Sequence, residues 1–520
     1  MLRKIATFLF LALALANAQT PKKNSPSSPP ASKEPTARVM QVTLPEAIQA
    51  ALKKNFNLQE RAYDPRIATE RLRATKGAFD PSLNVSARSR ADKLGSLTTN
   101  SKGNAEHSPF LYTNALDTSV GVSGKTPIGT IYDIGHTVVA DNSNRRDYTR
   151  YDSFLGISLT QPLLKNFGTG ANMAAIRTAR ADLSIADWSL RQEMINVITD
   201  CVRAYSELCF AIEYLDVEER ARELAAQLVE DNEQRHQLGV MIPLDVFQAQ
   251  SELAAREERI LLAQRNVADR ENALKQIISD EVHSLLGLRV RPAPPQFSSL
   301  PHPNVTRDIA RAFDLRPDYR QALLEIQKRN INVVYSHNQA LPQLNLVASF
   351  GLNGIDTHLG DSLVRSAGMR EGNIAASIGA VFSIPIPNNE GVGNREAAQL
   401  QIAKSLVALQ RLEQSIIIAI DNAAGHVETM LKRTETSSIA RTYAAETHEA
   451  AKGRLDEGAG TTFEVLQFQR DLANAEGNEL RARADYINAL ADYASVTATT
   501  LESNNVILEV ADKQIVKKKN

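Results

Sequence analysis

The chain is predicted to be mainly α-helical with membrane β-strands, laid out as two copies of one structural plan. Three observations point there. Ordered matches link the front half to the back half, each half holds a helical run far longer than a globular domain uses, and each half has stretches of period-two alternation. Asn55-Phe56-Asn57-Leu58 aligns with Arg316-Pro317-Asp318-Tyr319, and Pro81-Ser82-Leu83-Asn84-Val85 with Pro342-Gln343-Leu344-Asn345-Leu346, both at an offset of 261. Gly156, Pro162, Gly168 and Gly170 fall on Gly379, Pro385, Gly391 and Gly393 at an offset of 223. Arg235, Gly239, Asp245, Val246 and Gln248 fall on Arg454, Gly458, Glu464, Val465 and Gln467 at 219. Slowly drifting offsets in a fixed order are the mark of an internal duplication.

Residues 1–18 read as a secretory leader: Arg3 and Lys4, the apolar run Ile5 to Leu15, and the small-residue site Ala16-Asn17-Ala18. That run is too short for the roughly 20 residues of a membrane-spanning helix. Residues 19–40 form a Pro-, Ser- and Lys-rich linker that cannot bury a core. The first repeat spans 41–300, the second 301–502, and a tail covers 503–520. Without the leader, 57 basic residues face 60 acidic ones, a net charge near −3, and nothing in it suggests a nucleic-acid partner. Cys201 and Cys209 lie eight apart in a helical stretch. Their Cα atoms would be roughly 12 Å apart, too far for a bridge, so both are expected to be small buried residues.

Ala171 to Leu238 contains neither Gly nor Pro, enough for a rod of roughly 100 Å. Apolar residues recur from Ile176 through Leu190, Val197 and Cys201 to Leu215 at a mean step of about 3.5, the spacing of a coiled-coil seam. Each rod ends at a glycine and a partner helix returns. Hairpins are therefore expected over 171–286, with the tip near 239, and over 394–500, with the tip near 458. The charged stretch Glu218-Glu219-Arg220 reads as a solvated face, so a narrow seam with a wet back predicts a single-layer wall.

Strands are expected at about 82–160 and 343–385. Leu344, Leu346, Ala348 and Phe350 alternate with polar or smaller residues, as do Leu155, Ile157 and Leu159, which suits a barrel wall between lipid and water. Two strands per copy make four per chain. Open sheet edges are not tolerated in lipid, so several chains must share one barrel. Copy one carries 38 extra residues here, and for glycine-rich Val120 to Val139 an additional hairpin and an extended loop stay equally open.

The chain resembles the TolC family of outer-membrane efflux proteins over nearly all of residues 40–500. The resemblance is carried by Thr43-Leu44-Pro45-Glu46-Ala47-Ile48 with Asn55, Gly77-Ala78-Phe79-Asp80-Pro81, Thr160-Gln161-Pro162-Leu163-Leu164-Lys165-Asn166-Phe167-Gly168 and the paired helix turns. It implies a homotrimer in which a 12-stranded barrel, four strands per chain, continues into a long periplasmic helical barrel. It also implies an outer-membrane channel of a tripartite efflux or type I secretion system, serving a periplasmic adaptor and an inner-membrane transporter. In such a family Arg235, Gly239, Asp245, Arg454, Gly458 and Thr461 are expected to dock the adaptor, and Glu464 and Gln467 to lie at the periplasmic aperture. Some members carry a second acid where Gln467 stands, so the charge ring expected here is weaker. The same residues have a purely structural reading: a glycine suits a helix C-terminus, and Thr461-Thr462-Phe463-Glu464 is a capping box.

No catalytic constellation, cofactor or metal motif stands out. The nine histidines form no His-x-x-x-His pair, no Cys completes a zinc set near His236, and no phosphate-loop or nucleophile signature occurs. The competing reading is a periplasmic coiled-coil adaptor or envelope spacer. Two tandem copies with paired membrane-like strands count against it.

Overall fold

The computed structural model describes residues 39–506, apart from 100, 286, 294–302, 372 and 505. The expected leader, linker residues 19–38 and the tail beyond 506 lie outside the described residues. Val39 and Met40, at the end of that linker, already belong to a strand.

Copy one begins with β1 (Val39–Val42), α1 (Leu44–Lys54), α2 (Phe56–Arg61) and α3 (Tyr63–Lys76). Four strands follow, β2 (Ser82–Thr99), β3 (Ala105–Lys125), β4 (Ile131–Ser143) and β5 (Arg150–Pro162). After the short α4 (Gly168–Asn172), the rod α5 (Ala174–Gln237) turns into α6 (Pro243–Ile278), and β6 (Arg289–Pro292) closes the copy. Copy two repeats the order with α7 (Val305–Leu315), α8 (Pro317–Gln339), β7 (Gln343–Asp356), α9 (Leu359–Ser366), β8 (Asn373–Ser383), α10 (Asn389–Asp456), α11 (Thr462–Val496) and α12 (Thr500–Ser503). The duplication is thus structural: Asn55 caps α2 where Arg316 precedes α8, and Pro81 and Pro342 each stand just before a strand.

Thr43-Leu44-Pro45-Glu46 starts α1 as a capping box, the Thr43 N–H donating to the Glu46 carboxylate at 2.9 Å. The main core gathers α1, α5 and the end of α6 around Ile195, Ile198, Cys201, Leu208 and Leu274. Tyr205 fastens the parallel β1–β6 pair to α5, its hydroxyl donating to the Val42 and Ala293 carbonyls at 3.1 and 2.6 Å. Ala312, Ile416 and Ile420 form the corresponding core in copy two. Both cysteines are buried and free, and burial pushes each thiol up to about 12. Below the sheet, α3, α5, α8 and α10 pack side by side in that order. Toward the far tip the hairpins α5–α6 and α10–α11 take over the wall. Among the described residues, no helix is long and apolar enough to cross a membrane.

The sheet holds six antiparallel strands in the order β2-β3-β4-β5-β7-β8, not the four expected per chain. Copy one's surplus residues make the additional hairpin β3–β4, longer than Val120 to Val139 and paired on both sides. Register lines up Val85, Val120, His136, Leu155, Leu352 and Ile374 across all six strands, and Leu83, Val122, Ile134, Ile157, Phe350 and Ala376 in the next row on that face. The intervening row, on the other face, reads Asn84, Gly121, Gly135, Gly156, Gly351 and Ala375. Its neighbours on that face include Ser86, Ser119, Ser158 and Ser349, so one face is apolar and the other polar. Four side-by-side glycines strip that row of bulk and let the strands coil toward the polar face. A Cβ on Gly156 or Gly351 would strike the Phe154 ring, which lies over both.

At the end of the sheet remote from the helices, α9 folds back onto the apolar face. The Ser362 hydroxyl donates to the Tyr151 or Gly354 carbonyl at 3.0 and 2.8 Å, and Ser366 pairs with His136 at 3.0 Å. Only glycine fits at 354, because a Cβ there would sit 2.0 Å from the Ser362 carbonyl oxygen.

Candidate functional site: the paired helical tips

Gly-x sequences at the two tips fold as twins. Gly239 has φ +76° and Gly458 φ +74°, the left-handed conformation that glycine adopts without a steric penalty. At the first tip the Gly239 and Val240 N–H groups donate to the His236 and Arg235 carbonyls at 2.9 and 3.0 Å. At the second, Gly458 and Ala459 do the same to Leu455 and Arg454 at 3.1 and 2.8 Å. Each is a Schellman closure of a helix end. The return helices start on Pro243, with Asp245 in the first turn of α6, and on the Thr461–Glu464 capping box, whose two reciprocal bonds are both 3.3 Å. Acidic side chains sit well at these positive helix starts.

The twin arginines have different tasks. Arg235 reaches across to the other tip, donating to the Leu455 carbonyl at 3.1 Å and to Asp456 at 2.6 Å. Arg454 stays on its own turn and donates to Ala459 at 3.1 Å. Between the stems, fully buried Asn232 donates at 3.4 Å to the Asp245 carbonyl and to Thr462. His236 pairs with the Met241 carbonyl at 2.8 Å, a turn-holding contact. The structure thus brings together Arg235, Gly239, Asp245, Gly458, Thr461 and Glu464 at one end of the molecule. Glu464 is half-buried, while Gln467 is exposed one turn further along α11.

Sequence reasoning missed the apolar surface of the first tip. Leu238, Val240, Ile242, Leu244 and Phe247 are all exposed, the first two at 79% and 75%, against Phe463 at the second tip. The signal was present as an apolar run directly after a turn glycine. A group of exposed apolar residues at the end of a rod is unlike apolar residues scattered singly over a surface.

The stretch Glu218-Glu219-Arg220, expected to be solvated throughout, is divided by helix periodicity. Glu218 is buried, and its carboxylate accepts from Arg256 at 3.2 Å and from the Tyr214 hydroxyl at 2.7 Å. Arg256 also donates to Glu252 at 2.9 Å, and Arg470 of α11 donates to the other Glu252 oxygen at 2.7 Å. A second clasp joins Glu207 of α5 to Arg481 of α11 at 2.8 and 3.0 Å. Burial pushes the Glu207 carboxyl up, but the Arg481 guanidinium more than reverses this and leaves it below its ordinary value. These ion pairs tie α5, α6 and α11 into one wall.

His448 lies buried between the stems, beside Leu228, Arg235 and Gln469, and burial holds its imidazole below the ordinary 6.5. The sign follows directly. The unfolded chain takes up a proton near pH 6.5 before the folded chain does, so this part of the stability is present above 6.5 and drains as pH falls below it. Amide protection factors over residues 440–460, corrected for the pH dependence of intrinsic exchange, are expected to fall between pH 7 and 5, and His448→Gln is expected to flatten that fall.

Asp356 at the end of β7, His358 and Asp361 in the first turn of α9 bring ligand atoms within 4.8 Å of one another. Asp356 is already engaged by the Thr357 and His358 amides at 2.7 and 3.2 Å and by Arg365 at 3.2 Å, the pattern of a capped turn.

A one-layer sheet with a single apolar face, carried on helical hairpins far longer than a domain core needs, defines a subunit of a membrane channel. The sequence profile described as outer membrane efflux protein matches residues 47–279 and 309–498. The chain belongs to this family, one of channels and not of enzymes, and its place is the outer membrane with the helical part in the periplasm. Among relatives, outer membrane protein TolC of Escherichia coli (strain K12) is 21% identical over 332 residues, which is 63% of this chain and 66% of that protein. Its Vibrio cholerae namesake is 22% identical over 389 residues, 72% and 84% of the two chains. The Campylobacter jejuni CmeC outer membrane channel superposes with TM-score 0.64 at 18% identity, covering 90% of each chain. The open state of the Neisseria gonorrhoeae MtrE channel gives 0.57 at 18% identity, covering 87% of this chain and 88% of that one. At such identities the likeness is one of fold.

Proposed function

We propose that three copies of this chain form a passive exit channel, which receives substrates from a periplasmic adaptor and an inner-membrane transporter and releases them outside the cell. The observation that carries this reading is the pair of twin-folded tips standing at the far end of helices about 100 Å long, opposite a sheet with one apolar face. Gly239 and Gly458 give the tips a fixed backbone, Arg235 locks one to the other, and the apolar residues of the first tip supply the contact area for an adaptor's helices. Glu464 would stand three times around the aperture, where a ring of carboxylates favours cations.

The test is direct. Membranes from expressing cells should yield a trimer only on detergent extraction, and that trimer should conduct in planar bilayers. A water-soluble monomer would instead favour an envelope spacer. In the same bilayers Glu464→Gln is expected to lower cation preference severalfold, and unchanged selectivity would remove Glu464 from the aperture.

A further inference from the structure

The six-stranded sheet has two unpaired edges, β2 and β8. Strand direction alternates across it, so β8 runs opposite to β2 and fits antiparallel against the β2 of another copy. Exposure marks the same two edges. Apolar side chains on them, Leu83, Val85, Ile374, Ile378 and Phe382, are 62–78% exposed, whereas those inside the same face run from Val122 at 38% through Leu155 at 39% and Val120 at 51% to Phe350 at 56%. Unpaired strand edges cannot stay open in lipid.

The circumference of the helical part accommodates three such six-stranded sheets. Four helices per copy, α3, α5, α8 and α10, lie side by side under the sheet. Twelve such helices at 8–10 Å spacing enclose a perimeter of roughly 96–120 Å. Strands spaced about 4.8 Å and tilted about 35–45° make a perimeter of roughly 105–122 Å if there are eighteen, but only about 70–81 Å if there are twelve. Six strands per chain therefore make a perimeter that meets the helices without a step.

The hairpin that supplies the surplus belongs to the wall. β3 pairs with β2 along nearly its whole length and with β4 on its other side. Its turn is stitched to the strand–helix junction, the Ile128 carbonyl accepting from the Gly168 N–H at 2.9 Å. Gly129, at φ +101°, leaves room there for the Asn166 carbonyl oxygen, which a Cβ would meet at 2.3 Å.

We infer that three copies close into an eighteen-stranded barrel, β8 of each pairing with β2 of the next, and that the β3–β4 hairpin matches the barrel's width to its helical tunnel. This rests on the trimeric channel proposed above. Cysteines are placed at Asn84 on β2 and, in separate variants, at Ser377, Gly379 or Val381 on β8, all on the polar face. The native Cys201 and Cys209 are buried and do not interfere. At least one pair should give disulfide-linked oligomers up to a trimer under mild oxidation in membranes. An image of the unmodified trimer by single-particle electron microscopy should show eighteen strands. A trimer with twelve strands in its wall, or one in which no β2–β8 pair links, overturns the barrel while leaving the channel reading intact. A monomer overturns both.

Discussion

Arg256→Met is expected to destabilise the chain by about 3–5 kcal/mol, the range for removing one partner of a buried ion pair. Arg256 is 1% exposed and stands between Glu218 at 2% and Glu252 at 4%. Glu252 keeps Arg470 as a partner at 2.7 Å, but Glu218 is left with the Tyr214 hydroxyl alone. An unpaired carboxylate at that depth draws in water, which loosens the packing of α5 against α6. Thermal unfolding of the detergent-solubilised protein, followed by helical circular dichroism, should show the loss. Adding Glu218→Leu and Glu252→Met should recover most of the stability, since a well-packed apolar replacement avoids desolvating charge altogether. Wild-type stability in the single variant would show that the clasp is solvated.

The second large effect is functional. Val240→Asp combined with Phe247→Asp is expected to abolish efflux while leaving folding and assembly unchanged. Both side chains are exposed, at 75% and 66%, and exposed substitutions usually shift stability by no more than about 0.5 kcal/mol. If the first tip is the docking surface, two carboxylates at its centre must be stripped of water against an apolar partner, at several kcal/mol each. Pull-down of the adaptor together with intracellular accumulation of an efflux dye gives the readout. Normal binding and efflux in the double variant would move the docking surface elsewhere.

Much of the fold was legible because duplication leaves traces that physics preserves. Gly239 and Gly458 stay glycine where the backbone is left-handed, and Pro81 and Pro342 stand where helix gives way to strand. The long helices announced themselves through a seam near 3.5 residues. What remained hidden was of two kinds. Strands β2 and β3 run past the apolar rows, and there Ala87, Ser89 and Asn114 occupy the face that Leu83 and Val85 hold lower down, so alternation fades and the strand count came out short. Long-range partners were invisible for a different reason. Arg235 meets Asp456 221 positions away, and nothing local separates buried Glu218 from its solvated neighbour Glu219. A helix turns by about 100° per residue, so adjacent acids face different surroundings, and only the packing of α6 decides which one is enclosed.

The open margins of the sheet have a genetic consequence. A copy unable to pair along β8 would still offer a sound β2 to its neighbour, so it would enter assemblies and spoil them. If the chains assemble in threes as proposed, equal amounts of sound and damaged product mixing at random leave only about one complex in eight whole. Lesions along either margin should therefore be dominant, whereas lesions that prevent the chain from folding should be recessive.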